Sequence, residues 1–279
     1  MPPQHDRRAR PGAVGPPARK RWGQHFLAHP EIAERIADAA RVSPDDVVLE
    51  VGPGDGALTR PLARRAGRVV AVEIDPLRAE RLATEFSGER AVTVLRGDVM
   101  QRTFREWLDA AGVEGAAVMV ANLPYNAATR IVTAALEDPV TIRRVVATVQ
   151  SEVAQRFVAR PGDEGYGYLS VRTAARASGR RLFDLPPAAF RPRPKVHSTV
   201  MELTPRSPDA GDETLRRALH LASLGFRARR KTLANALAPV GRPRAEWERL
   251  LEAMGKGSRA RAEELSLADF LALAQENAP

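Results

Sequence analysis

Four short apolar runs, VVLEV (47–51), RVVAVE (68–73), AVTVLR (91–96) and AAVMVAN (116–122), alternate with segments whose apolar residues recur three or four apart. Parallel strands can be joined only by a crossover of about a dozen residues or more, so this alternation predicts a parallel sheet wrapped by helices. The helical segments run from Glu31 to Arg41, from about Ala57, from Pro76 to Phe86 and from Phe104 to Ala110. RRVVATVQ (143–150), the stretch from Tyr168 to Arg176 and HSTVMELTP (197–205) read as further strand or helix pieces completing that sheet. TPRSPDAGDE (204–213) has the prolines, glycine and acids of a linker. Beyond it every periodic segment is helical: TLRRALHLASLGF, RKTLANALAPV, AEWERLLEAMG and ADFLALAQE. The expected architecture is therefore an α/β domain over residues 20–205, a small all-helical domain over 212–279, and a disordered Pro/Gly/Arg-rich tail over 1–19.

Composition narrows the function classes. With 44% apolar and 28% charged residues, the 279-residue chain can bury a sizeable core. No apolar stretch reaches the roughly 18 to 20 residues of a membrane span, and no apolar signal core opens the chain, so a cytoplasmic location is expected. The absence of cysteine excludes disulfides, thiolate zinc, iron–sulfur clusters and a cysteine nucleophile. The five histidines are scattered with no acid at metal-ligand spacing, so no metal is expected. Of the formal net charge of +9, residues 1–21 carry +5 and residues 180–231 carry +7, leaving the remainder slightly acidic. Basicity confined to two blocks suits a partner with a dense phosphate backbone; a solubilising tail and a solvated helix face are the bland alternative.

Each strand end carries candidate chemistry. Glu50-Val51-Gly52-Pro53-Gly54-Asp55-Gly56 falls where the first strand meets its helix, and alternate glycines let the chain turn sharply and a ligand approach the backbone closely. Glu73 ends the second strand, where a carboxylate can accept both hydroxyl hydrogens of a ribose. The G-x-G-x-G spacing departs from the G-x-G-x-x-G of NAD sites, and Glu50 would repel a pyrophosphate while suiting a cationic amino-acid end. S-adenosylmethionine has both that amine and a ribose. Gly97-Asp98 follows the third strand, where the carboxylate can accept an adenine amino hydrogen or cap a helix. Asn122-Leu123-Pro124-Tyr125 ends the fourth. An adenine amino group is a poor nucleophile because its lone pair is delocalised into the ring. If the Asn122 side-chain oxygen and the Leu123 carbonyl accept its two hydrogens, the nitrogen is drawn toward a tetrahedral shape, ready for a methyl held in line. Pro124 would fix the turn and Tyr125 would stack on the purine.

The motifs GQHFL, EVGPGDGALT, VEIDP, GDV, NLPYN, FRPRPKVHST and FRARRKTLANAL occur here in the order found in the ribosomal RNA adenine dimethyltransferases. From about Lys20 to its C-terminus the chain resembles the bacterial 16S type, the kasugamycin-sensitivity methyltransferase family. The resemblance implies a Rossmann-like class I methyltransferase sheet with helices on both faces and S-adenosylmethionine as cofactor. It implies that His25, Leu27, Gly52, Gly54, Glu73, Asp98 and Asn122 line the cofactor. It also implies that Phe190 sandwiches the target adenine against Tyr125 and that the helical domain grips small-subunit RNA. The implied product is a pair of adjacent N6,N6-dimethyladenosines near the 3′ end of 16S rRNA. His25 stands where many members have Asn, and Ser151 where Lys is frequent.

Phosphate contacts are expected from Arg191, Arg193 and Lys195 beside the substrate loop and from Arg227, Arg229, Arg230 and Lys231. A monomer is expected. Two rival readings remain. One is a 23S rRNA adenine methyltransferase of the antibiotic-resistance type, which usually has Ile at the position of Leu123 and a different C-terminal domain. The other is a ribosome-assembly or transcription factor keeping the fold without the chemistry.

Overall fold

The computed structural model describes residues 24–206, 211–240 and 242–276. The expected tail over 1–19 and the middle of the expected linker lie outside the described residues.

In chain order the elements are β1 (Phe26–Leu27), α1 (Pro30–Ala40), β2 (Val47–Val51), α2 (Thr59–Ala63), β3 (Arg68–Glu73), α3 (Pro76–Glu85), β4 (Val92–Arg96), α4 (Phe104–Ala110) and β5 (Ala117–Asn122). They continue as α5 (Ala128–Glu137), β6 (Ile142–Gln150), α6 (Ser151–Val158), α7 (Tyr168–Ala174), β7 (Ala177–Leu185), β8 (Phe190–Arg191) and β9 (Ser198–Pro205). The last four are α8 (Asp212–Arg227), α9 (Leu233–Leu237), α10 (Arg244–Ala253) and α11 (Leu267–Glu276).

The seven-stranded sheet has the order β4-β3-β2-β5-β6-β9-β7. Strands β2 to β6 are parallel, as the alternation requires, and Val48, Leu49 and Val51 of β2 are buried as a continuous run because helices cover both faces. On one face Ile36, Leu62 and Leu82 bring in α1, α2 and α3; on the other Leu108, Ile131 and Phe157 bring in α4, α5 and α6. The chain runs outward from β2 through β3 to β4, then returns to β5 on the other side. This reversal opens a crevice at the carboxyl ends of β2 and β5, where ligands bind in sheets of this type.

Two features depart from the sequence reading. The sheet is mixed, because β9 pairs antiparallel with β6 and β7 antiparallel with β9. Helices α5 and α6 and strands β1, β7 and β8 were not anticipated. Strand β7 is an edge whose residues Ser178 to Arg181 are exposed, and it bulges between Arg181 and Phe183, so it shows no apolar run to read.

The C-terminal helices close a separate apolar cluster around Trp247, Phe270, Leu221 and Leu237. Tyr166 and Val171, upstream of the anticipated linker, belong to the same cluster, and the Tyr166 hydroxyl donates to the Leu265 carbonyl at 2.7 Å. Among the described residues no helix is long and apolar enough to cross a membrane.

Candidate active site

The crevice has two lobes that share Gly52, Ile74 and Pro124. One, of about 80 Å³, is lined by His25, Leu27, Glu50, Gly54, Glu73 and Asn122; the other, of about 280 Å³, by Gly97, Asp98, Met100, Asn126 and Arg130. All seven residues expected around a cofactor therefore line these two lobes, although they come from five separate segments of the chain.

Glu73 ends β3 fully buried. Its two oxygens accept from the Gly54 N–H at 2.9 Å and the Asp75 N–H at 2.8 Å, so the carboxylate ties the glycine loop to the strand beside it. Each oxygen keeps a lone pair for a further donor. Gly54 has a φ of +61°, and a Cβ there would stand 2.8 Å from the Phe26 ring; only glycine admits both the turn and that close approach. Glu50 is also buried, and its Oε2 has no hydrogen-bond partner. Burial pushes its carboxyl from 4.5 up to about 8, with the Glu73 carboxylate adding to the shift and Thr59 and Arg60 opposing it. Burial likewise raises Glu73, against the two N–H donors and Arg78. A buried acid with one oxygen left without a partner in a crevice is the complement of a cationic ligand group.

Asp98 is a cap in this structure and also faces the crevice. Its Oδ1 accepts from the Met100 N–H at 2.9 Å and caps the 3-10 turn Val99–Gln101, while the residue lines the larger lobe. Gly97 serves packing: a Cβ there would lie 2.4 Å from the Trp107 ring, whose Nε1 donates to the Val99 carbonyl at 3.0 Å.

At the end of β5 the Asn122 Nδ2 donates to the His25 carbonyl at 2.8 Å. A carbonyl only accepts, so this bond fixes the amide and leaves Oδ1 as the acceptor. The Leu123 side chain is buried in the core, which anchors the turn, and the Pro124 carbonyl accepts from Ala127 and Ala128 to start α5. Tyr125 is half-buried, its hydroxyl 2.6 Å from Ser198 Oγ, and burial raises its pKa, so the phenol stays neutral near pH 7. Its ring is stacked against His25, with centroids 5.0 Å apart at 29°. The His25 Nδ1 lies 2.6 Å from the Pro192 carbonyl.

Phe190 corrects the sequence reading. It is completely buried among Ile36, Leu185 and Val200, and β8 pairs antiparallel with β1 so that Phe190 stands opposite Leu27. A ring enclosed in the core cannot sandwich a base; it supports the β1 segment instead.

Arg191, Arg193 and Lys195 are exposed in and after β8, and Arg227, Arg229, Arg230 and Lys231 are exposed at the end of α8. Arg229 pairs with Glu263 at 3.9 Å and shares a cleft of about 790 Å³ with Arg156, Arg172, Glu152 and Tyr168.

One organising residue escaped the sequence reading. Arg78 is wholly buried, ion-paired with Asp55 of the glycine loop, 3.9 Å from Asp75, and lies 4.1 Å from the centroid of the Phe26 ring. It joins the β1 segment, the glycine loop and the start of α3. The available signal was a charge at position 78 on the same helix face as Leu82. Arg78→Ala removes the buried cation that ties Asp55 and Asp75 to the Phe26 ring and is expected to cost about 3 kcal/mol, measured by chemical denaturation.

The family model described as Ribosomal RNA adenine dimethylase matches residues 16–278. A Ribosomal RNA small subunit methyltransferase A of Aromatoleum aromaticum is 40% identical over 261 residues, covering 92% of each chain. The protein of that name from Thermosynechococcus vestitus is 40% identical over 265 residues, 92% of this chain and 96% of its own. Among solved structures, the 23S rRNA methyltransferase ErmE is 30% identical, with a TM-score of 0.72 over 90% of this chain and 98% of that one. A dimethyladenosine transferase from Plasmodium falciparum, 24% identical with a TM-score of 0.75 over 90% of this chain and 97% of that one, shares the fold. The ErmE likeness extends too far to stop at the sheet, so the helical C-terminus does not separate 16S from 23S specificity as expected. With a matching family model over nearly all its length and relatives at this identity, the chain belongs to the ribosomal RNA adenine dimethylase family.

Proposed function

We propose that this chain transfers methyl groups from S-adenosylmethionine to N6 of two adjacent adenosines near the 3′ end of 16S rRNA, giving N6,N6-dimethyladenosines during small-subunit biogenesis. The observation that carries the reading is the fixed Asn122 amide, with Oδ1 left as acceptor at the rim of a crevice holding Gly54, Glu73 and Glu50. The family membership and the small-subunit names of the relatives at 40% identity support it.

In this reading Glu50 faces the ammonium end of the cofactor, Glu73 the ribose hydroxyls and Asp98 the adenine amino group. His25, Leu27, Gly52 and Gly54 complete the wall. When bound, S-adenosylmethionine supplies an electrophilic methyl on a cationic sulfur. Asn122 Oδ1 and the Leu123 carbonyl accept the two N6 hydrogens and localise the lone pair on nitrogen, while Pro124 holds the turn. Tyr125 stays neutral, so it offers its ring face to the base rather than a proton acceptor, and the N6 proton passes to water. The segment 20–205 is the catalytic domain and 212–279 the RNA-gripping one. Arg191, Arg193, Lys195, Arg227, Arg229, Arg230 and Lys231 meet phosphates in a sequence-independent way. On this reading the enzyme acts as a monomer in the cytoplasm.

The test is a methylation assay on small and large ribosomal subunits lacking the modification, read by mass spectrometry of the RNA. Dimethyladenosine in the small subunit is expected. Label confined to the large subunit would transfer the assignment to the 23S reading that the ErmE likeness keeps in view. Monomethyl product alone would remove the dimethyl claim.

A further inference from the structure

The His25 imidazole lies against one face of Tyr125, the ring on which the proposed function stacks the target base. Tyr125 cannot swing to offer another, because its hydroxyl is held by Ser198 at 2.6 Å. The ring face is covered by a flat heteroaromatic ring that is itself tethered, with the imidazole Nδ1–H donating to the Pro192 carbonyl at 2.6 Å. The bond that orients Asn122 uses the main-chain carbonyl of His25, so the side chain can leave without disturbing the amide.

We propose that His25 determines substrate specificity by occupying the place of the base: its imidazole covers the Tyr125 face, and only an adenosine carried by anchored RNA displaces it. The inference rests on the methyltransferase reading above. A free adenosine, or one in a short unstructured RNA, gains a stack on Tyr125 only by breaking the one already there, so the exchange is nearly neutral. RNA held through phosphate contacts elsewhere brings binding free energy that offsets the displacement. His25 thus suppresses methylation of stray adenosines more than that of the ribosomal substrate.

The experiment compares turnover on saturating small-subunit particles, where anchored RNA has already displaced the ring, with kcat/KM on a short unstructured adenosine-containing RNA, which must displace it in every encounter. His25→Leu, which removes the flat ring, should shift the ratio toward the short RNA by about tenfold, the worth of one aromatic stack. His25→Phe keeps a flat ring and should hold the wild-type ratio. A shift in both variants, or in neither, overturns the proposal. Cofactor affinity of each variant, measured separately, removes any contribution from the neighbouring lobe. Should His25→Leu fail to fold, the wild-type protein still decides: the ring-current shift of the His25 protons should collapse on binding a substrate RNA fragment, and its persistence overturns the proposal. Wild type that methylates neither substrate defeats the underlying methyltransferase reading instead.

Discussion

Asn122→Ala is expected to lower turnover on small-subunit RNA by about 10²- to 10³-fold, the usual consequence of deleting a group that stabilises charge only as the reaction proceeds. The physical basis is the fixed amide. With Nδ2 committed to the His25 carbonyl, Oδ1 is the group that, in the proposed mechanism, draws electron density onto the nucleophilic nitrogen, and alanine has nothing to replace it. Cofactor affinity should change little, because Glu50, Glu73, Asp98 and the glycine loop remain in place. Asn122→Asp makes a sharper comparison: an acid at this site adds charge beside Glu50 and Glu73, so part of the activity should return only as its carboxyl ionises. Near-normal single-turnover rates with Asn122→Ala would defeat the proposed role.

Cofactor affinity is expected to fall by up to about tenfold for each pH unit below 8, the slope of a single linked proton. Glu50 holds its proton up to about 8 in the buried, ligand-free state. A cationic ligand group beside it favours the ionised form, so binding expels that proton. Lower pH opposes the release and weakens binding; above 8 the dependence levels off. Glu50→Gln should lower affinity at high pH and flatten the profile. Calorimetry in buffers of different ionisation enthalpy reads the released proton directly, and zero release near pH 7 would rule the coupling out. The same shift makes the ligand-free protein less stable as pH rises from 4.5 toward about 8, because the folded state retains a proton that the unfolded chain loses. The upward shift of Glu73 acts in the same direction.

Strands β2 to β5 and the glycine loop, Glu73, Asp98 and Asn122 at their ends were legible because a buried parallel strand must be continuously apolar and its end is punctuated by turn residues. Strand β7 was illegible for the converse reason: an exposed edge next to a bulge carries Ser, Gly and Arg as readily as valine. Phe190 shows a different limit. Its motif marks it as part of the substrate loop, but burial depends on β8 pairing with β1 across more than 160 residues of chain. Arg78 and the His25–Tyr125 stack are likewise contacts between segments distant in sequence.

Sequence alone was sufficient for the alternation of strand and helix, the strand ends that carry the crevice residues and the two basic blocks, because each arises from local periodicity, local turn chemistry or charge composition. Which faces are free, which acids are stripped of water and which ring already lies on Tyr125 were settled only in three dimensions. Burial and stacking depend on what the rest of the chain brings to a site, and a residue's immediate neighbours in sequence do not specify that.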